Sequence, residues 1–146
     1  AAAGTPPDRP FVLVSQPTLL DDTRAPSGRH IAWGYCHVPH GYDGDATQAI
    51  EDQMERFAPG FKDTIVARHR QTAADLGRYN PNYVGGDIGG GALNLGQLIA
   101  RPILGRNPYR IGDRTYLCSA AAAPGAGVHG MGGYNAVAAA ARELGI

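Results

Sequence analysis

The stretch "YLCSAAAAPGAGVHGMGGYNAV", Tyr116 to Val137, decides how the rest of the chain is read. A short apolar run enters a loop dense in glycine, and the loop opens an alanine-rich helix. The first turn of a helix carries N–H groups with no intrahelical partner and a partial positive charge, so it attracts anionic or oxygen-rich groups. Gly125, Gly127, Gly130, Gly132 and Gly133 remove side chains there, which lets a ligand approach the main chain. "GAGVHG", Gly125 to Gly130, matches G-x-G-x-x-G. A dinucleotide fingerprint also needs a following strand and an acidic residue about 20 positions on. Neither follows in this sequence, so the loop is not expected to hold the pyrophosphate of a self-contained nucleotide domain. The plainer alternative is a glycine loop that only lets helix and strand pack closely.

Working outward, "RTYLCSA" reads as the strand before the loop, and Met131 to Leu144 as the last helix. Tyr134, Val137, Ala138, Ala141 and Leu144 share one of its faces, and its alanines make it thin. "RNPYRIGD" is a turn-rich approach, and "ALNLGQLIARPIL" has helical periodicity broken at Pro102. "NPNYVGGDIGGG" is glycine-rich and irregular, and "NYVGGDIGGGALN" has the character of a mobile cover over the site. "AADLGRY" predicts a short helix and "DTIVARHRQT" a strand. "DATQAIEDQMERFAPG" predicts a helix with Asp45 as N-cap and Gln48 completing a capping box. Its buried stripe is Ala46, Ala49, Ile50, Met54 and Phe57, and Pro59-Gly60 stops it. "PFVLVSQPT" and "RHIAWGYC" are strands that can pair antiparallel across the "DDTRAPSG" loop. In the second, Ile31, Trp33 and Tyr35 alternate with His30, Ala32, Gly34 and Cys36. The fold class is α+β: a small, mostly antiparallel sheet with helices, then a closing strand and helix.

Composition excludes several classes. The 146 residues carry 13 basic and 13 acidic side chains, with no basic stripe to serve a nucleic acid. No apolar run nears the ~20 residues of a membrane helix, so no stable membrane insertion is expected. The start "AAAGTPPDRP" lacks the basic and apolar regions of a signal peptide, and the absence of an initiator Met leads us to expect a processed or truncated piece. Cys36 and Cys118, two distant thiols, point to a reducing, cytoplasmic setting.

Several of these segments, in order, resemble the phytoene desaturase-like FAD-dependent oxidoreductase family. "YLCSAAAAPGAGVHGMGGYNA" resembles its carboxy-terminal signature, Y-L-C/A-G/S-A-x-x-x-P-G-G-G-V-x-G-x-x-G. "QPTLLDDTRAPSGRHIAWGYCHVPHG" resembles its strand, P-S-x-x-D-x-x-x-A-P-x-G loop and next strand, and "NPNYVGGDIGGGALNLGQLIARP" a glycine-rich segment of one of its branches. The likeness runs from about residue 9 to residue 144. It implies the carboxy-terminal portion of a larger enzyme: a flexible leader over 1–8, part of a substrate-binding domain over 9–110, and over 111–146 the strand, loop and helix that complete an FAD-binding domain. It implies FAD in the full-length protein, held weakly or not at all by this piece, and hydride transfer from an apolar small-molecule substrate. The remaining partner is an amino-terminal Rossmann domain. By this resemblance Gly127, Val128, His129, Gly130 and Met131 line the pyrimidine edge of the flavin, and Ser119 and Ala120 lie near its ribityl or phosphate portion. Ser119 and Ala126 stand where relatives have glycine, and each adds bulk close to the cofactor.

His129 is the one candidate for a catalytic group, as a hydrogen-bond donor to reduced flavin or in proton transfer; a histidine capping the helix start is the alternative. His37, His40, Asp43 and Asp45 have donor types for a metal but sit in a glycine- and proline-bearing loop, and no metal is assigned; His37 or His40 facing a substrate cavity is the other functional reading. Trp33, Tyr35, Tyr79, Tyr83, Tyr109 and Tyr134 are core or pocket residues. Two further classes stay open: a non-catalytic binding or self-association module, with an apolar face and a homodimer as its partner, and a metal-dependent hydrolase using His37 and His40.

Overall fold

The computed structural model describes residues 4–91, 94–105 and 107–146. It is α+β, with two small antiparallel sheets and four α-helices among the described residues. It divides into two compact units, Ala1–Leu76 and Gly77–Ile146.

In the first unit β1 (Val12–Ser15) pairs antiparallel with β2 (Trp33–Cys36), with Leu13 opposite Tyr35 and Val14 opposite Gly34. The loop between them is tied at both ends. Asp21 accepts hydrogen bonds from the Thr23 amide and hydroxyl and from Arg24, and the buried Thr18 hydroxyl meets His30 Nδ1 at 3.1 Å. The helix α1 (Thr47–Phe57) covers the Gly34 face of this pair. A Cβ at Gly34 would lie 3.6 Å from Ile50 Cγ2, so glycine brings helix and strand together. The opposite face carries Trp33 and Tyr35, whose ring centroids lie 5.2 Å apart at a tilt of 58°, and it stays largely open, with Trp33 52% exposed.

The capping box expected on α1 does not form. Asp45 does accept from the Thr47 amide at 2.8 Å, but the Gln48 amide reaches forward to Asp52, also at 2.8 Å. The i, i+4 partner on the same helix face outcompetes the backward reach. The stripe expected to be buried is only half-buried at Ala46, Ala49, Ile50 and Met54, and it ends early, with Phe57 77% exposed beneath the Arg56 guanidinium. Glu55 turns the chain there by accepting from the amides of Gly60 and Lys62.

The strand expected over "DTIVARHRQT" is absent: Lys62–Thr64 is a short 3-10 turn and the residues that follow it, through Gln71, are irregular. Arg68, His69 and Arg70 interrupt the apolar alternation, and side chains replace a ladder. Arg68 grips the Glu51 carboxylate with two nitrogens and Arg70 pairs with Asp45 at 3.4 Å. The helix α2 (Ala73–Tyr79) follows as expected, capped reciprocally by Thr72 and Asp75.

In the second unit α3 (Leu95–Ala100) is capped by the Asn94 side chain on the Gln97 amide. Ala92, Leu93 and Arg106 of the stretches read above lie outside the described residues. The expected strand "RTYLCSA" is shorter than its sequence: β3 (Arg110–Gly112) and β4 (Thr115–Tyr116) form a hairpin, and the chain leaves the ladder after Tyr116. The "YRIG" half of that hairpin was read only as a turn. The final helix α4 (Met131–Leu144) agrees with its sequence and closes on Gly145, which is left-handed. It packs on the hairpin, and its Ala136 and Ala139 are buried. The bulkier face named from the sequence points outward, with Tyr134 70% and Val137 69% exposed. The buried apolar side chains of this unit include Ala122, Ala136 and Ala139.

Candidate functional site: the glycine turn before the last helix

The segment from Ser119 to Gly130 is built from consecutive tight turns. The Ala122 amide donates to Ser119 O at 3.0 Å, and the Gly125 amide to Ala122 O at 2.8 Å, around a cis Ala123–Pro124 peptide. The Ser119 hydroxyl accepts from the Ala121 amide. Three other segments of the unit clamp this turn. The Tyr109 hydroxyl donates to Ala123 O. A Cβ on Gly90 would fall 3.0 Å from the Ala121 nitrogen, so two main chains touch there. A Cβ on Gly132 would fall 3.1 Å from Ser119 O, so the first turn of α4 abuts the same turn.

Each expected site residue therefore has a definite place. Ser119 is exposed and its backbone lies against the start of α4, while Ala120 is half-buried. Gly130 is left-handed and stands at the N-cap of α4, and Met131 is its first residue. The His129 imidazole folds back over Gly127, and its Nδ1 accepts the Met131 amide at 3.0 Å. With Nδ1 as acceptor, the neutral ring carries its proton on Nε2. His129 thus caps the helix and still presents a donor. Val128 is fully exposed, and nothing lies within 4 Å of a Cβ at Gly130 or Gly133, so the main chain there is open.

Sequence reasoning missed the residues that hold the turn. Arg101 is 2% exposed and donates to Ala120 O at 2.8 Å and Gly91 O at 2.7 Å. The Asp87 carboxylate accepts from the Gly89 and Gly91 amides. The far end of the "GGDIGGG" stretch is thus held by hydrogen bonds to Asp87 and Arg101. The Arg-Pro after α3 is the available signal, though periodicity alone marks Pro102 only as a break in the helix.

The aromatic set does not form a core. Trp33, Tyr79 and Tyr134 are exposed, and Tyr109 serves as a hydrogen-bond donor. His37 rests edge-on against Tyr35, His40 is exposed, and no three ligating side chains gather at a metal-binding spacing among the described residues. At the far end of α4 the Tyr116 hydroxyl is buried; burial first, then the Glu143 carboxylate, pushes its pKa up. No helix among the described residues is long and apolar enough to cross a membrane.

Fold and site together define an α+β chain whose last helix begins at a clamped glycine turn with an open main chain. Comparison with known proteins gives that description relatives. The chain is 34% identical, over a 157-residue alignment, to "Pyridine nucleotide-disulfide oxidoreductase domain-containing protein 2" of Mus musculus, and equally to its counterpart in Rattus norvegicus. The alignment takes in 99% of this chain and spans only 27% of either relative. No protein-family model matches the chain, and no solved structure matches it significantly.

Proposed function

We propose that this chain is the flavin-edge portion of an FAD-dependent oxidoreductase of the dehydrogenase or desaturase type. The observation that supports it most is the open, side-chain-free main chain where α4 begins, set beside Ser119 by the close approach of Gly132. The named relatives support the broader class, an oxidoreductase. When bound, FAD supplies the hydride-accepting chemistry. The chain's own residues orient and tune it. The amides and dipole of the first α4 turn stabilise negative charge. His129 Nε2–H remains as a further donor, since its Nδ1 is occupied by Met131. Val128 and Met131 would give the edge an apolar border, and Ser119 and Ala120 would hold the ribityl side. An amino-terminal Rossmann domain holds the adenosine half, so this piece alone retains little FAD. The substrate is apolar, and the setting is cytoplasmic.

The complete gene product tests this directly. It should purify yellow, and denaturation should release FAD. A colourless complete protein that does not take up added FAD would sink the proposal. A second reading draws on the outward apolar side chains of α4 and β2: a binding or self-association module. A colourless protein that forms stable dimers through either of those elements would favour it.

A further inference from the structure

We infer that Arg101 is the positioning residue of this site: its buried guanidinium locks the Gly85–Gly91 segment to the Ser119–Gly125 turn and thereby sets where α4 presents its amides. The inference rests on the flavin-edge reading for its functional consequence, and on geometry alone for the lock.

Arg101 holds two carbonyls from segments far apart in sequence, Gly91 O and Ala120 O, at 2.7 and 2.8 Å. A guanidinium offers its donors in a rigid planar fork, so the two carbonyls are held at a fixed spacing, which a single rotating ammonium does not impose. The contact is supported on both sides. Asp87 shapes the glycine segment through the Gly89 and Gly91 amides, and Gly90 touches the backbone of Ala121 with no side chain between them. On the far side of the turn, Ser119 O meets Gly132 in the first turn of α4. Gly91, Arg101, Ala120, Ser119 and Gly132 are thus linked in one rigid series. Burying a cation is costly, and here both terminal nitrogens of the guanidinium are held by carbonyls.

The test uses the complete gene product with Arg101→Lys and Arg101→Met, and Tyr109→Phe as comparison, because Tyr109 holds the same turn without reaching the glycine segment. Native-state hydrogen exchange is read at the Gly89, Gly91, Ala122 and Gly125 amides, and FAD is titrated into the apoprotein. Both Arg101 variants should speed exchange in the two segments together by at least about tenfold, the size expected for one lost charge-assisted hydrogen bond. They should weaken FAD binding about as much and shift the bound flavin's visible band, while amides of β1, β2 and α1 keep wild-type exchange. Tyr109→Phe should loosen the Ala122 and Gly125 amides only. Arg101→Lys with wild-type exchange and FAD affinity overturns the inference, and so does loosening spread uniformly over both units. If wild-type protein takes up no FAD, the function proposal fails by itself, and coupled exchange still decides the lock.

Discussion

Gly90 offers the sharpest test of how the site is held, through Gly90→Ala. Its backbone has φ +70°, and an added Cβ would sit 3.0 Å from Ala121 N and 3.1 Å from Ala121 Cα. A left-handed conformation costs a non-glycine residue roughly 1–2 kcal/mol. Overpacking against a neighbour that cannot yield adds roughly 1–3 kcal/mol. Ala121 cannot easily yield, because its amide is held by Ser119 Oγ and the preceding carbonyl by Arg101. Reduced freedom of the unfolded chain returns about 0.4–1 kcal/mol. The net expectation is a loss of about 2–4 kcal/mol from the second unit. Two comparisons divide the terms. Gly130 has φ +64° and nothing near its Cβ position, so Gly130→Ala isolates the backbone cost. Gly133 is helical with open space, so Gly133→Ala should stabilise by about 0.5–1 kcal/mol. The assay is urea unfolding followed by helical circular dichroism, with hydrogen exchange at the Ala136 and Ala139 amides reporting on α4. Trp33, in the first unit, is the internal control. A Gly90→Ala loss no greater than that of Gly130→Ala would refute the claim that two main chains touch here.

Other outcomes follow from the same contacts. His129→Ala removes the acceptor from the Met131 amide and should cost about 1 kcal/mol, as a lost N-cap does, with faster exchange at Met131; an unchanged amide would contradict the capping role. Gly127→Ala should displace the His129 ring, because its Cβ would fall 2.6 Å from Nε2, and should reproduce that faster exchange. Cys118 is exposed, while burial pushes the Cys36 thiol pKa up, so iodoacetamide should label Cys118 first near neutral pH, read by peptide mass. In the first unit, the Lys62 ammonium holds the Asp52 pKa down, Thr47 does so for Asp45, and the Lys62 and Gly60 amides do so for Glu55. A carboxylate depressed in the folded chain favours folding above its ordinary pKa and loses that contribution as pH falls through the folded value. Trp33 fluorescence should therefore report loosening on acidification through the carboxylate range, and Asp52→Asn should flatten that response.

How much was legible from the sequence varied with the distance over which each feature is decided. The helices Thr47–Phe57, Ala73–Tyr79 and Met131–Leu144 were readable because periodicity and stop residues act within a few turns. The pairing of Val12–Ser15 with Trp33–Cys36 was readable because both runs are β-rich and the loop between them is turn-rich. "DTIVARHRQT" misled because β-branched residues favour extended backbone but do not supply a neighbouring strand. The apolar face of α4 misled because periodicity shows that side chains share a face and not which face is covered. Here the smaller alanines lie inward, since only they allow the helix to approach the hairpin so closely.

The sequence by itself determined the α+β class, the glycine turn at the head of the last helix, and the presence there of His129 and Met131. Local chemistry suffices for these, because glycine, proline and helix-favouring alanine act through the backbone of their own neighbourhood. Only the tertiary structure decided that His129 turns back onto the Met131 amide, that Gly90 and Gly132 meet the turn main chain to main chain, and that Arg101 lies buried between Gly91 and Ala120. Those contacts join residues far apart along the chain. Arg101, which no local pattern in the sequence marks, becomes the centre of the site only when folding brings two carbonyls to it.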